Sequence, residues 1–155
     1  MNDVEHLREA IEMGVSSASG EGGPFGAVVV IEGRVVGRGV NRVVAEGDPT
    51  LHAEVVAIRD ACRSVGSHDL TGAVLYTSCE PCPMCFGAAW WARVDRIVHA
   101  ASRADAASAG FDDAAIYADV ALPAEQRALT TVQLLAEEGW RPFAAWEANP
   151  ARVPY

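Results

Sequence analysis

Apolar residues recur every three to four positions at the start of the chain. Val4, Leu7, Ile11, Val15 and Ala18, with acids and Arg8 between them, predict a helix over residues 3–19. Asn2 or Asp3 can cap its start, and the glycines from Gly20 to Gly23 end it. The period then changes. Ala27 to Ile31 is a continuous β-branched run that reads as a buried strand, Glu32-Gly33 turns the chain, and Arg34 to Val40 alternates as a hairpin partner. After the loop Asp48-Pro49-Thr50, Val55, Ile58 and Cys62 mark the apolar face of a helix at about 51–64. Ala73 to Thr77 reads as a third strand, about 83–92 as a helix, and Val94 to Ala100 as a fourth strand. Residues 101–128 are alanine-rich and helical or looped, with Pro123 opening one short helix. Thr131 to Leu135 reads as a fifth strand, although Leu134-Leu135-Ala136 would also suit a helix. Trp140 to Asn149 predicts a last helix, and Pro150 and Pro154 keep the tail extended. The outcome is one α/β domain over residues 1–155, with helices around a mixed five-stranded sheet.

Composition narrows the classes open to this domain. Half of the 155 residues are hydrophobic, enough for a packed core. No apolar run approaches the roughly 20 residues of a membrane span, so no membrane partner is expected. The formal charge is −9, from 12 basic and 21 acidic residues, and lysine is absent. A protein that grips a phosphate backbone needs clustered cations, so no nucleic-acid partner is expected either. The N-terminus lacks the basic start and apolar run of a secretion signal, and four cysteines in a metal pattern suit a reducing, cytoplasmic compartment.

The candidate chemistry lies in Ser78-Cys79-Glu80-Pro81-Cys82-Pro83-Met84-Cys85, read together with His52-Ala53-Glu54. Cys82 and Cys85, three residues apart at a helix start, can grip one metal ion; amides and dipole there favour thiolate over thiol. His52 is the obvious third ligand, and nothing else in the chain makes an equally good fourth. Three protein ligands leave zinc one open position, as in catalytic rather than structural sites. Glu54, two residues from His52, is placed to handle the proton of an activated water. A structural zinc knot would instead show four Cys/His ligands in paired clusters. His-x-Glu followed by Pro-Cys-x-x-Cys is the signature by which zinc nucleobase deaminases are recognised.

Beyond those motifs, the chain resembles the cytidine-deaminase-like superfamily and, within it, the small bacterial guanine deaminases. The resemblance is carried by Gly22-Gly23-Pro24-Phe25-Gly26-Ala27, Asn41, Asp48-Pro49-Thr50, the run from Tyr76 to Cys85, and Trp91-Ala92-Arg93. It continues through Ala109 to Asp113, Ile116-Tyr117, Pro123-Ala124-Glu125 and the terminal Tyr155. It implies a three-layer α/β/α fold and zinc held by His52, Cys82 and Cys85, one ion per chain, with Glu54 as proton shuttle. Asn41 and the backbone near Ala53 would hydrogen-bond a purine, Phe25 and Trp91 would hold its ring, and Asp113 would meet the edge bearing the amine or carry a second proton. It also implies a homodimer in which a C-terminal arm, about 137–155, is exchanged between subunits and Tyr155 enters the partner's site. The match departs over 137–150, around Trp140 and Trp146.

The reaction implied is hydrolysis of guanine to xanthine and ammonia. Alternatives are a deaminase of cytosine, cytidine, guanosine or an aminotriazine such as ammeline, a tRNA adenosine deaminase, or a non-catalytic zinc-stabilised domain. The charge argues against the tRNA enzyme, and Glu54 argues against a purely structural metal, which needs no proton carrier.

Overall fold

The computed structural model describes residues 2–155; Met1, part of the N-terminal stretch read above for a secretion signal, lies outside them. The chain divides into two compact units, Met1–Asp113 and Ala114–Tyr155.

In the first unit, α1 (Asp3–Ala18) opens on a reciprocal cap: Asn2 Oδ1 accepts the Glu5 amide and the Glu5 carboxylate accepts the Asn2 amide. The hairpin β1 (Gly26–Ile31) and β2 (Arg34–Val40) turns at Glu32 and Gly33, both at positive φ (49° and 76°), the two-residue turn whose twist matches that of the strands. The short α2 (Val43–Glu46) precedes α3 (Ala53–Val65), β3 (Ala73–Cys79), α4 (Pro83–Trp91), β4 (Arg96–Ala101) and α5 (Arg103–Ser108). The sheet runs β2-β1-β3-β4, antiparallel except for the parallel pair β3–β4.

β1 is central, and its uninterrupted apolar run follows from burial on both faces. Ala27 and Val29 face a core shared with Ala57 and Ile58 of α3, Leu75 of β3 and Ala89 of α4. Val28 and Val30 face the opposite core with Tyr76, against Leu7 and Met13 of α1. The fold is therefore three layers, α1 on one side of a mixed sheet and α3 with α4 on the other.

The buried face of α1 differs from the periodicity reading. His6, Ala10 and Gly14 point inward, while Val4 and Val15 are exposed. The reason is closeness: a Cβ on Gly26 would lie 2.3 Å from Ala10 O and 2.7 Å from Gly14 N. Only a small-residue stripe lets helix and strand approach so far, and a valine there would hold them apart.

In the second unit, α6 (Ala114–Val120) and α7 (Arg141–Ala148) are joined through short 3-10 turns at Ala124–Gln126 and Glu138–Trp140. The expected arm, about 137–155, lies within this unit. Among the described residues the sheet has four strands, not five. Thr131 to Leu135 is irregular and exposed, and Leu135 sits at φ 53°, a left-handed conformation that breaks a strand. None of the residues from Ala114 to Tyr155 is buried. Among the described residues no helix is long and apolar enough to cross a membrane.

Candidate active site

The first turns of α3 and α4 bring the predicted metal ligands together. His52 N-caps α3 and Cys82 N-caps α4, where Pro83 occupies the first turn and sacrifices no intrahelical bond. α3 is fixed to the sheet by direct backbone contact. A Cβ on Gly39 would lie 2.2 Å from Ala53 O, and one on Gly37 2.3 Å from Ala57 O, so the helix rests on the glycine backbone of β2. β3 delivers the cysteine loop: the Glu80 amide donates to Ala101 O (2.9 Å), and Ser78 Oγ accepts the Gly26 amide (3.1 Å).

Cys82 Sγ lies 3.6 Å from Cys85 Sγ and 3.6 Å from His52 Nδ1, and Cys85 Sγ lies 3.5 Å from that nitrogen. Tetrahedral zinc, with sulfur at about 2.3 Å and nitrogen at about 2.0 Å, spaces two sulfurs by about 3.8 Å and sulfur from nitrogen by about 3.5 Å. The three donors therefore fit zinc by geometry as well as by softness.

The surroundings set the charge of each donor. The Cys85 thiol beside it, with help from His52, pulls the Cys82 thiol down to about 4, so Cys82 is a thiolate at neutral pH. The same proximity, together with burial and Glu54, pushes Cys85 far above the usual thiol range. His52 is raised by its contact with Cys82. Glu54 is only 5% exposed, and burial pushes its carboxyl up; Oε2 lies 3.4 Å from Cys85 Sγ. Cys79, also buried, is pushed up to about 11 by desolvation, which suits an inert thiol rather than a further ligand.

The remaining predicted residues fall in distinct places. Ala53 is fully buried in the first turn of α3, where helical amides lack intrahelical acceptors. The Asn41 amide donates to Phe25 O (3.2 Å), which places Asn41 beside Phe25 at the sheet end, and its Oδ1 accepts the Val43 amide (3.3 Å). Asp113 Oδ1 is 3.8 Å from Arg103 Nε. Trp91 is 67% exposed and stands six residues beyond Cys85, about 9 Å further along α4, so the structure does not bring it to the triangle. Tyr155 belongs to the second unit, where its ring meets Trp146 edge-on at 6.4 Å. His6, which no spacing in the sequence marks as a ligand, is a buried core residue against the Tyr76 ring at 5.1 Å.

Sequence reasoning does not reveal three neighbouring contacts. Phe111 packs edge-on against Phe25 at 5.0 Å, Arg103 faces Asp113, and Glu80 accepts the Arg103 amide at 3.2 Å. Phe111 lies inside a stretch that carries the resemblance, but nothing in local spacing pairs it with Phe25. Glu80 directly precedes Pro81, which marks it as part of the turn without revealing its partner.

Residues 1–101 match the cytidine and deoxycytidylate deaminase zinc-binding region. The chain belongs to this family of zinc-dependent deaminases, enzymes that hydrolyse C–N bonds, and zinc is its metal. It is similar to the guanine deaminase of Bacillus subtilis (strain 168), with 47% identity over 147 residues and 94% of each chain covered. The crystal structure of B. subtilis guanine deaminase superposes with a TM-score of 0.96, at 45% identity, covering 100% of this chain and 99% of that one. A guanine deaminase structure from Nitrosomonas europaea gives a TM-score of 0.66 at 34% identity, covering 70% of this chain and 64% of that one. The tRNA-specific adenosine deaminase of B. subtilis is 38% identical over 99 residues, covering 64% of this chain and 62% of its own.

Proposed function

We propose that the protein hydrolyses guanine at C2, giving xanthine and ammonia. The observation that carries this reading is the extent of the likeness to B. subtilis guanine deaminase, which runs through both units, whereas the tRNA-specific relative matches 64% of the chain. A formal charge of −9 without lysine also favours a free nucleobase over a nucleic acid.

His52, Cys82 and Cys85 would hold the zinc, which when bound supplies the Lewis acidity that makes water a competent nucleophile near neutral pH. Glu54 takes a proton from the attacking water and passes it to a ring nitrogen as the oxygen adds to C2. It then takes the remaining proton of the hydroxyl now on C2 and hands it to the exocyclic amine, so that the C2–N bond breaks, the C2 carbonyl forms and ammonia leaves. A buried carboxyl with a raised affinity for protons is suited to holding one between these steps. The first-turn amide of Ala53 is available to the purine, Asn41 and Phe25 stand together at the sheet end, and Asp113 supplies acceptor oxygens for the amino and N–H edge of guanine.

The segment at about 137–155 is read as an arm that closes a partner's site with Tyr155, in a homodimer. Its support is exposure: Trp140, Phe143 and Tyr155 are 57%, 58% and 75% exposed, and a segment without a buried residue asks for a surface to cover. Four free cysteines, two of them needed as thiolates, support a reducing, cytoplasmic compartment.

Ammonia release from guanine, guanosine, adenine, cytosine, cytidine and ammeline tests the assignment. Turnover should be confined largely to guanine, because a site built for one hydrogen-bonding edge leaves buried groups unpaired against another. Comparable rates on adenine or cytosine would remove guanine and leave the deaminase class intact.

A further inference from the structure

α5 is tied at its two ends to different parts of the site. Its start is docked on the cysteine loop: Glu80 Oε2 accepts the Arg103 amide at 3.2 Å, and Cys79 Sγ lies 3.7 Å from Ser102 O. Its end turns back. Gly110, at φ 94°, reverses the chain, and the Phe111 amide donates to Ala106 O at 2.9 Å while its ring meets Phe25. The reversal returns Asp113 to the residue that begins the helix, with Arg103 Nε 3.8 Å from Asp113 Oδ1 and the aspartate side chain 18% exposed. Arg103 thus has its backbone on the metal loop, at Glu80, two residues before Cys82, and its guanidinium on Asp113.

We infer that Arg103 is a positioning residue that acts through Asp113, setting that carboxylate at a fixed place relative to the metal loop. The inference rests on the reading that Asp113 meets the base edge. A carboxylate on a loop after a left-handed glycine has rotamers to lose when substrate arrives, and that ordering weakens binding. The planar guanidinium removes the freedom in advance. Its nearest approach is to Oδ1, at 3.8 Å, and the carboxylate's several lone-pair positions allow it to accept from the amino and N–H groups of the base as well. The Glu80 contact supplies the reference point, since it anchors Arg103 to the loop that carries Cys82. Because the effect is on how substrate is held, it belongs in KM rather than kcat.

The test is steady-state guanine deamination by full-length, zinc-loaded R103Q, R103K, D113N and R103Q/D113N, with zinc content and melting measured alongside. R103Q should raise KM roughly tenfold with little change in kcat, the scale of coupling between contacting charged groups, and R103K should fall between R103Q and wild type. Zinc content should not move. In the D113N background, R103Q should add no further rise in KM. A wild-type KM for R103Q beside an impaired D113N would overturn the inference alone. So would a KM penalty that persists in full when Asp113 is already asparagine, or a lost melting transition in R103Q with R103K kinetically normal. Wild-type kinetics for D113N would instead refute the reading of Asp113 and the inference with it.

Discussion

Cys85 Sγ and Glu54 Oε2 lie 3.4 Å apart, both enclosed, one carried by the first turn of α4 and the other by the first turn of α3. A metal ligand and a carboxyl that resists ionisation therefore share one enclosed corner. Glu54→Gln keeps the shape and removes the titrating oxygen. Turnover should fall by ~10²–10⁴-fold while zinc content stays at one per chain, measured by ammonia release and metal analysis. Near-normal rates would show that another group moves the protons.

Zinc affinity should climb with pH. Cys82, held near 4, gives up no proton above that value, but the raised Cys85 must lose one when zinc binds, as must any protonated His52. Protons thus compete with the metal, and affinity is lost as pH falls. Competition with a chromophoric chelator between pH 5 and 8 should show roughly one decade per pH unit for each proton displaced. A flat profile would contradict the protonation states assigned to the triangle. Cys82→Ala should lose most of its zinc at every pH.

Gly39→Ala should be destabilising beyond the size of its one added methyl. The new Cβ would lie 2.2 Å from Ala53 O and 2.4 Å from Ala57 N, backbone atoms that cannot rotate away. Overpacking of this kind costs ~1–3 kcal/mol or more, and relief by lifting α3 would displace His52 and Glu54. Chemical denaturation and zinc retention should both report the change. A variant as stable as wild type would mean that the helix does not rest on the strand backbone as described.

Deleting Ala151 to Tyr155 should cut guanine turnover heavily with folding and zinc content preserved. If the arm closes a partner's site, mixing the truncated chain with Glu54→Gln should restore part of the activity. One site of the mixed dimer then combines an intact Glu54 with a donated Tyr155. A fully active truncation would refute the lid, and a demonstrated heterodimer without rescue would place the arm over its own subunit's site.

Most elements of the first 101 residues are legible because their signals are local. The run from Ala27 to Ile31 is apolar throughout since β1 is buried on both faces, and the prolines beside Cys82 mark a helix start without reference to anything distant. The buried face of α1 is hidden because hydropathy ranks Val4 and Val15 above Ala10 and Gly14, whereas closeness to Gly26 selects for absence of bulk. Thr131 to Leu135 carries strand composition, yet pairing is a relation between segments, and Leu135 at φ 53° takes it out of the strand region. The triangle of His52, Cys82 and Cys85 can be inferred from ligand chemistry. The contacts Phe25–Phe111 and Arg103–Asp113 cannot, since nothing in either partner's neighbourhood names the other.

The seating of α3 on Gly37 and Gly39 bears on how such an enzyme can diverge. A helix supported by side chains shifts whenever those side chains are exchanged, and a metal at its tip shifts with it. Here the support is main chain, which mutation of neighbouring side chains barely alters. Drift in the core can therefore proceed without detuning the reacting groups, and new substrates can be recruited through segments that do not carry them. A lineage built this way can change what it deaminates long before it must change how.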